Sequence, residues 1–309
     1  MKNGYLMEED MRDVMKVVCL GDDRYPDMLL DIDDPPEELY YVGDLSLLER
    51  PCISVVGSRK ASGYGLWAAE TIGKTLGQAG VTVVSGMAIG IDGAAHRGAL
   101  SAAGSTAAVL GCGIDICFPK SNHRLRDEIA RKGLIISQFQ PGTPGAKYTF
   151  PMRNRIISGL SYATVVVEAG IGSGSLITAE FAAEQGREIF AVPGNIDRVY
   201  SMGSNKLIAD GARPLVVIEE LLEFLKLAGG TLSHYKENGQ RIKKSWNADS
   251  DLTWSEFAVL NQVEQLGETT ANQLSRRLQK NISDINGTVT VLEIKGLLAT
   301  AMGKIFIAK

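Results

Sequence analysis

Between Cys52 and Val217, short β-branched apolar runs alternate with stretches whose apolar positions recur at helical period. The runs Cys52–Val56, Val81–Ser85, Thr106–Leu110, Leu134–Ser137, Thr164–Glu168 and Glu188–Val192 predict strands. The intervening Gly63–Ala79, Asp92–Ala103, Asn122–Arg131, Arg153–Leu160 and Ser175–Gln185 predict helices. Such alternation predicts an α/β fold: a doubly wound, mostly parallel sheet with helices on both faces. Right-handed crossovers then place functional groups beyond the carboxyl ends of the strands.

Residues 229–250 lose apolar periodicity and gain glycine, lysine and asparagine, which predicts a linker. Beyond it, Trp254–Leu266, Ala271–Leu278 and Ser283–Gly296 read as three helices closed by a hairpin over Leu297–Ile307. Three helices and a hairpin in under sixty residues predict a small C-terminal winged helix. The expected organisation is an N-terminal segment 1–50, a sheet domain 51–228, the linker 229–250 and a winged-helix domain 251–309.

Charge divides the chain further. Residues 1–50 hold 5 basic and 14 acidic side chains, whereas 51–230 hold 17 and 14, so the acidity sits in the N-terminal segment. The overall net charge of -4 therefore does not exclude a basic, nucleic-acid-binding face on the sheet domain. No apolar run approaches the roughly 20 residues of a membrane helix, and the acidic start lacks the regions of a signal peptide; no membrane partner and a cytoplasmic location are expected. Four cysteines form no zinc spacing and no Cys-x-x-Cys, so neither a metal nor a cofactor is expected.

The candidate chemistry lies in the βα turns. Gly57-Ser58-Arg59 follows the first predicted strand and precedes a helix, so amides, a hydroxyl and a guanidinium can converge on an anion. Glu168-Ala-Gly-Ile-Gly-Ser173-Gly174-Ser175-Leu-Ile-Thr178 lets a backbone approach phosphate, without the lysine of a P-loop. Ser85–Asp92 makes a third such turn and Ser201–Asn205 a fourth polar loop, a rim that suits an extended ligand. In Lys147-Tyr-Thr-Phe150-Pro-Met-Arg153-Asn154-Arg155, cations interleave with aromatics, the combination that holds phosphates and stacks unpaired bases. The same run also reads as a helix start, with Phe150 as a staple and Pro151 as the first helical residue. Asp92 and His96, four apart on a helix, could orient an imidazole, but no nucleophile accompanies them, and no catalytic residue is assigned.

Taken together, Gly57-Ser-Arg59, Ser85-Gly-Met-Ala-Ile-Gly-Ile-Asp92 with His96, Gly111-Cys-Gly-Ile-Asp115 with Phe118-Pro119, Phe150-Pro-Met-Arg-Asn-Arg155, Ser173-Gly-Ser-Leu-Ile-Thr178, Pro193-Gly194 and Gly203-Ser-Asn205 resemble the DprA (Smf) family. The blocks span about residues 20–220 in order. The resemblance implies an extended Rossmann-like fold, protection of single-stranded DNA, loading of the RecA recombinase during uptake of transforming DNA, and a homodimer. By position it implies DNA contacts from Arg59, Lys147, Phe150, Arg153 and Arg155, with Gly57, Ser58, Asn154, Ser173, Gly174, Ser175 and Thr178 lining the same rim. Two departures stand out: Ser137-Gln138 replaces the family's Ser-Glu, and residues 1–50 are too few for the complete helical front domain that many members carry.

The rival reading is an enzyme of similar fold that resembles nucleoside-monophosphate phosphoribohydrolases. Gly172-Ser-Gly-Ser followed by Glu180 echoes their glycine-rich turn but lacks its proline and its glutamate spacing.

Overall fold

The structure, a computed structural model, describes residues 8–102, 104–228, 254–278, 280–301 and 304–308. The predicted linker 229–250 lies outside the described residues. The chain divides into two compact units, residues 1–237 and 238–309.

In chain order the first unit contains α1 (Glu8–Val14), β1 (Lys16–Cys19), α2 (Asp27–Leu30), β2 (Glu38–Gly43), β3 (Cys52–Val56), α3 (Gly63–Gln78), β4 (Thr82–Ser85), α4 (Ile91–Ser101), β5 (Thr106–Val109), α5 (His123–Lys132), β6 (Leu134–Ser137), α6 (Thr149–Gly159), β7 (Ala163–Val166), α7 (Gly174–Glu184), β8 (Glu188–Ala191), α8 (Met202–Ala209), β9 (Arg213–Pro214) and α9 (Glu219–Leu227). Its sheet runs β1-β2-β6-β5-β4-β3-β7-β8-β9. The seven strands from β6 to β9 in that order pair in parallel, and β1 and β2 join antiparallel at one edge.

The interior of the sheet follows from the two-residue period of its strands. Ile53 and Val55 pack with Ile72 and Leu76 of α3, Ala95 of α4 and Leu221 of α9. Cys52 and Val56 pack on the opposite face with Ile156 of α6, Leu160 just after it and Ala179 of α7. Between them Ser54 is buried, and its hydroxyl donates to the Ile157 carbonyl at 2.6 Å, which satisfies a polar group in an otherwise apolar layer.

Three expectations change. Residues 1–50, set apart by charge, contribute α1, α2 and two strands: Tyr40–Gly43 of β2 pairs with Leu134–Ser137 of β6, so the predicted boundary at residue 50 is not a break in the sheet. Ser201–Asn205, expected as a loop, runs into α8. Helix α6 begins four residues before the predicted Arg153, with Pro151 in its first turn, where the missing N–H costs no helical hydrogen bond.

The second unit holds α10 (Trp254–Leu266), β10 (Glu268–Thr269), α11 (Ala271–Leu278), α12 (Ile282–Ile294), β11 (Leu298–Ala301) and β12 (Lys304–Ile307). Its antiparallel sheet has the order β10-β12-β11, and Val259, Val263, Leu274, Ile285, Leu292 and Ile305 share its core. Three helices backed by a three-stranded sheet form the expected winged-helix arrangement.

Candidate nucleic-acid interface

Strand β3 is flanked by β4 on one side and β7 on the other, so the winding of the sheet reverses between β3 and β7. Open α/β sheets leave a crevice at such a switch point, because the helices that follow the two strands depart to opposite faces. Here the loop after β3 carries Gly57-Ser58-Arg59, and the loop after β7 carries the glycine-rich run that ends in Ser173-Gly174-Ser175. Between them lies a cleft of about 660 Å³. Gly57, Ser58, Arg59, Lys147, Phe150, Arg153, Asn154, Ser173, Gly174, Ser175 and Thr178 all line it. Arg155 does not.

Helix geometry explains that exception. Successive residues turn by about 100°, so positions i and i+2 point to nearly opposite sides. Arg153 faces the sheet, whereas Arg155 points toward the N-terminal segment, where its Nη2 lies 3.1 Å from Asp34 and donates to Gln138 at 2.8 Å. The expectation that both arginines share one ligand path does not fit this helix.

Arg153 is itself buried. Its Nη1 donates to the carbonyl of Gly86 at 2.9 Å and to that of Val109, and its Nε donates to Asn154 Oδ1 at 3.2 Å. The side chain thus ties α6 to the carboxyl ends of β4 and β5. Gly86 leaves it room: a Cβ there would sit 2.6 Å from the guanidinium nitrogens. Burial pushes the Arg153 guanidinium down to about 10, an effect that neighbouring Asp92 opposes. Burial raises Asp92 in turn, and Arg153 counters it. Asn154 then donates to the Gly174 carbonyl at 3.1 Å, which fixes the start of α7 against α6.

The exposed cations of the cleft are Arg59, Lys60 and Lys147, and none forms an ion pair among the described residues. The Arg59 guanidinium lies over the Phe150 ring, 5.2 Å from its centroid. Phe150 is half-buried against Gly111, and its ring centroid is 5.3 Å from that of Phe118. Its flat face is therefore already in contact with a cation, unlike the free platform expected from the sequence. Arg59 and Phe150 also border a second cavity of about 100 Å³, walled by Phe118, Pro119 and Gly111. Tyr148 is 69% exposed and lies outside the cleft lining.

Two further residues organise the cleft without having been singled out. Glu168, buried at the end of β7, accepts from the Ser62 amide at 2.8 Å and from its hydroxyl, while its carbonyl accepts from the Ser58 amide at 2.7 Å. These bonds hold the Gly-Ser-Arg turn and the start of α3 against β7. Tyr200 reaches the cleft from the segment before α8, which no spacing in the sequence links to β3. His96 stands apart: its Nδ1 meets Thr106 Oγ1 at 2.7 Å, and burial holds it down to about 3, leaving a neutral imidazole in the core.

A family model, DNA recombination-mediator protein A, matches residues 16–226. The chain belongs to that family. DNA processing protein DprA of Streptococcus pneumoniae is 45% identical over 201 residues, 65% of this chain and 71% of that protein. Protein Smf of Escherichia coli is 44% identical over 215 residues, 69% of this chain and 58% of that protein. The solved Streptococcus pneumoniae structure superposes with a TM-score of 0.65 at 42% identity, over 70% of this chain and 76% of that one. A Helicobacter pylori structure of DNA processing protein A, described for its single-stranded DNA binding mode, gives 0.64 at 29% identity, over 70% of this chain and 97% of that one. The matched region includes β1 and β2, in accord with their place in the sheet. No helix among the described residues is long and apolar enough to cross a membrane.

Proposed function

We propose that this chain binds single-stranded DNA in the cleft between β3 and β7 and hands the strand to the RecA recombinase. The observation that carries the reading is the set of exposed cations without an ion pair among the described residues, Arg59, Lys60 and Lys147, placed among amide-rich turns at the switch point of the sheet. Amides and hydroxyls of the Gly57 and Ser173 turns suit phosphate oxygens, and cations add affinity without reading sequence. Phe150 and the apolar cavity behind it suit an unstacked base, which a duplex does not offer. The single-strand binding described for the Helicobacter pylori relative supports the same assignment. Arg153 serves as a positioning residue in this scheme, because its Nη1 donates to two backbone carbonyls and its Nε to Asn154.

The protein acts by binding, as a homodimer, in DNA processing during uptake of exogenous strands. RecA filament assembly on a strand pre-coated with a single-strand binding protein tests the hand-over: the chain is expected to shorten the lag, and an unchanged lag contradicts it. Incubation with AMP tests the rival reading, since release of free adenine requires a hydrolase and is not expected.

A further inference from the structure

Beside the first cleft lies a second groove of about 950 Å³, formed between the start of α3 and the segment Pro193–Ser201. Val199 and Tyr200 border both, so the two are continuous along one edge of the molecule. The groove is built on braced backbone: Asn205 of α8 accepts from the Gly194 amide at 3.1 Å and donates to the Gly194 carbonyl at 2.9 Å. Its floor includes Glu168, whose carboxylate is occupied by Ser62. Its rim is aromatic. Tyr64 is 53% exposed on one side and Tyr200 is 39% exposed on the other. Trp67 follows one turn after Tyr64, its ring centroid 5.9 Å away, and extends the same exposed aromatic surface. Arg198 stands at the mouth, and among the described residues its one ion-pair partner is the equally exposed carboxylate of Asp197, 3.9 Å away.

Exposed rings that flank a groove with a surface guanidinium have the chemistry of a strand-tracking site: bases stack on the rings, and the cation meets phosphate. We propose that this groove is a second subsite for the same DNA strand, which leaves the first cleft past Tyr200 and lays further bases on Tyr200 and Tyr64. The proposal rests on the single-strand reading of the first cleft and extends it: the footprint is longer than that cleft alone, and affinity grows with strand length until both are filled.

The test is fluorescence anisotropy of the full chain with oligothymidylates graded from about 4 to about 16 nucleotides. For Tyr64→Ala, affinity for the longest strands is expected to fall roughly 5- to 100-fold, the effect of losing one stacked base, while the shortest strands bound by the unaltered chain keep theirs. Tyr64→Phe, which keeps the ring, should match the unaltered chain, and Arg59→Ala should weaken binding at every length. Cross-links from a long 4-thiothymidine strand should reach Tyr64, which lines only the second groove, in the unaltered protein. If Tyr64→Ala changes nothing, or weakens all lengths alike, and cross-links stay within the first cleft while Arg59→Ala still weakens binding, the second subsite is overturned and the first cleft stands. If the unaltered chain binds no oligothymidylate at any length, both readings fall together.

Discussion

The guanidinium of Arg59 rests on the ring of Phe150, 5.2 Å from its centroid, where the two residues form the boundary between the main cleft and the smaller cavity beside Phe118. One side chain comes from the loop after β3 and the other from the first turn of α6, so the pair joins two segments that the sequence separates by ninety residues. A cation over a ring at an exposed site contributes only about 0.5–1 kcal/mol. That is small enough for a bound strand to rearrange, and it makes both residues sensitive reporters of binding.

Arg59→Ala is expected to leave thermal stability nearly unchanged and to weaken binding to every sequence alike. One lost phosphate contact should reduce the slope of log affinity against log salt by about 1 in magnitude. Arg59→Lys keeps the charge but not the planar fork and should fall between the two. Wild-type affinity and salt slope in Arg59→Ala, together with a lower melting temperature, would instead assign the arginine to holding the turn.

For Phe150 the packing against Gly111 and Phe118 means that truncation to alanine removes core contacts as well as an aromatic face. Phe150→Leu separates the two. It keeps most of the volume and should melt close to wild type, yet lose on the order of 1–3 kcal/mol of single-strand affinity. Equal affinity in this folded variant would return Phe150 to the role of a helix staple.

Arg153→Met leaves the carbonyls of Gly86 and Val109 without this donor and removes the larger of the two cationic influences on Asp92. Leaving buried acceptors without this donor costs roughly 1–3 kcal/mol each, so the denaturant midpoint should fall. An unaltered midpoint with abolished binding would make Arg153 a direct DNA ligand.

The pH dependence of stability should carry the mark of His96. Thr106 Oγ1 donates to the Val83 carbonyl, so it accepts from His96 Nδ1–H, and Nε2 is left as a buried acceptor with no partner among the described residues. Because burial holds this imidazole down to about 3, the unfolded chain binds a proton that the folded one refuses between about pH 3 and 6.5. Its contribution is therefore complete above pH 6.5 and is lost as pH falls, by up to about 1.4 kcal/mol per pH unit. Asp92, raised by burial, works in the opposite direction, so the comparison is between wild type and His96→Gln. The difference in unfolding free energy should narrow as pH drops below 6.5, and a constant difference would contradict the assignment.

The alternation from β3 to β7 was legible because each strand is buried on both faces and so reads as a largely apolar run. Strand β1 was not, since at an edge only Val18 of Lys16–Cys19 is buried and the surrounding acidic residues dominate the pattern. In β2, Leu39–Val42 is buried, but the acidic residues on either side mask that short run in the sequence. The sequence spacing placed most candidate residues at the carboxyl edge, because βα turns must lie there. It could not show that Arg153 Nη1 is held by the carbonyls of Gly86 and Val109, which depends on β4 and β5 meeting α6. The opposed directions of Arg153 and Arg155 were readable from helical period alone, since both already fall within the predicted helix Arg153–Leu160.

The central claim is most directly tested by equilibrium binding of the full chain to a single-stranded oligonucleotide and to the matching blunt duplex across one salt series. The account predicts tighter binding to the single strand at every salt concentration, little dependence on base sequence, and a linear loss of affinity with log salt in which Arg59 accounts for about one contact. Equal affinity for the duplex at matched salt would contradict it.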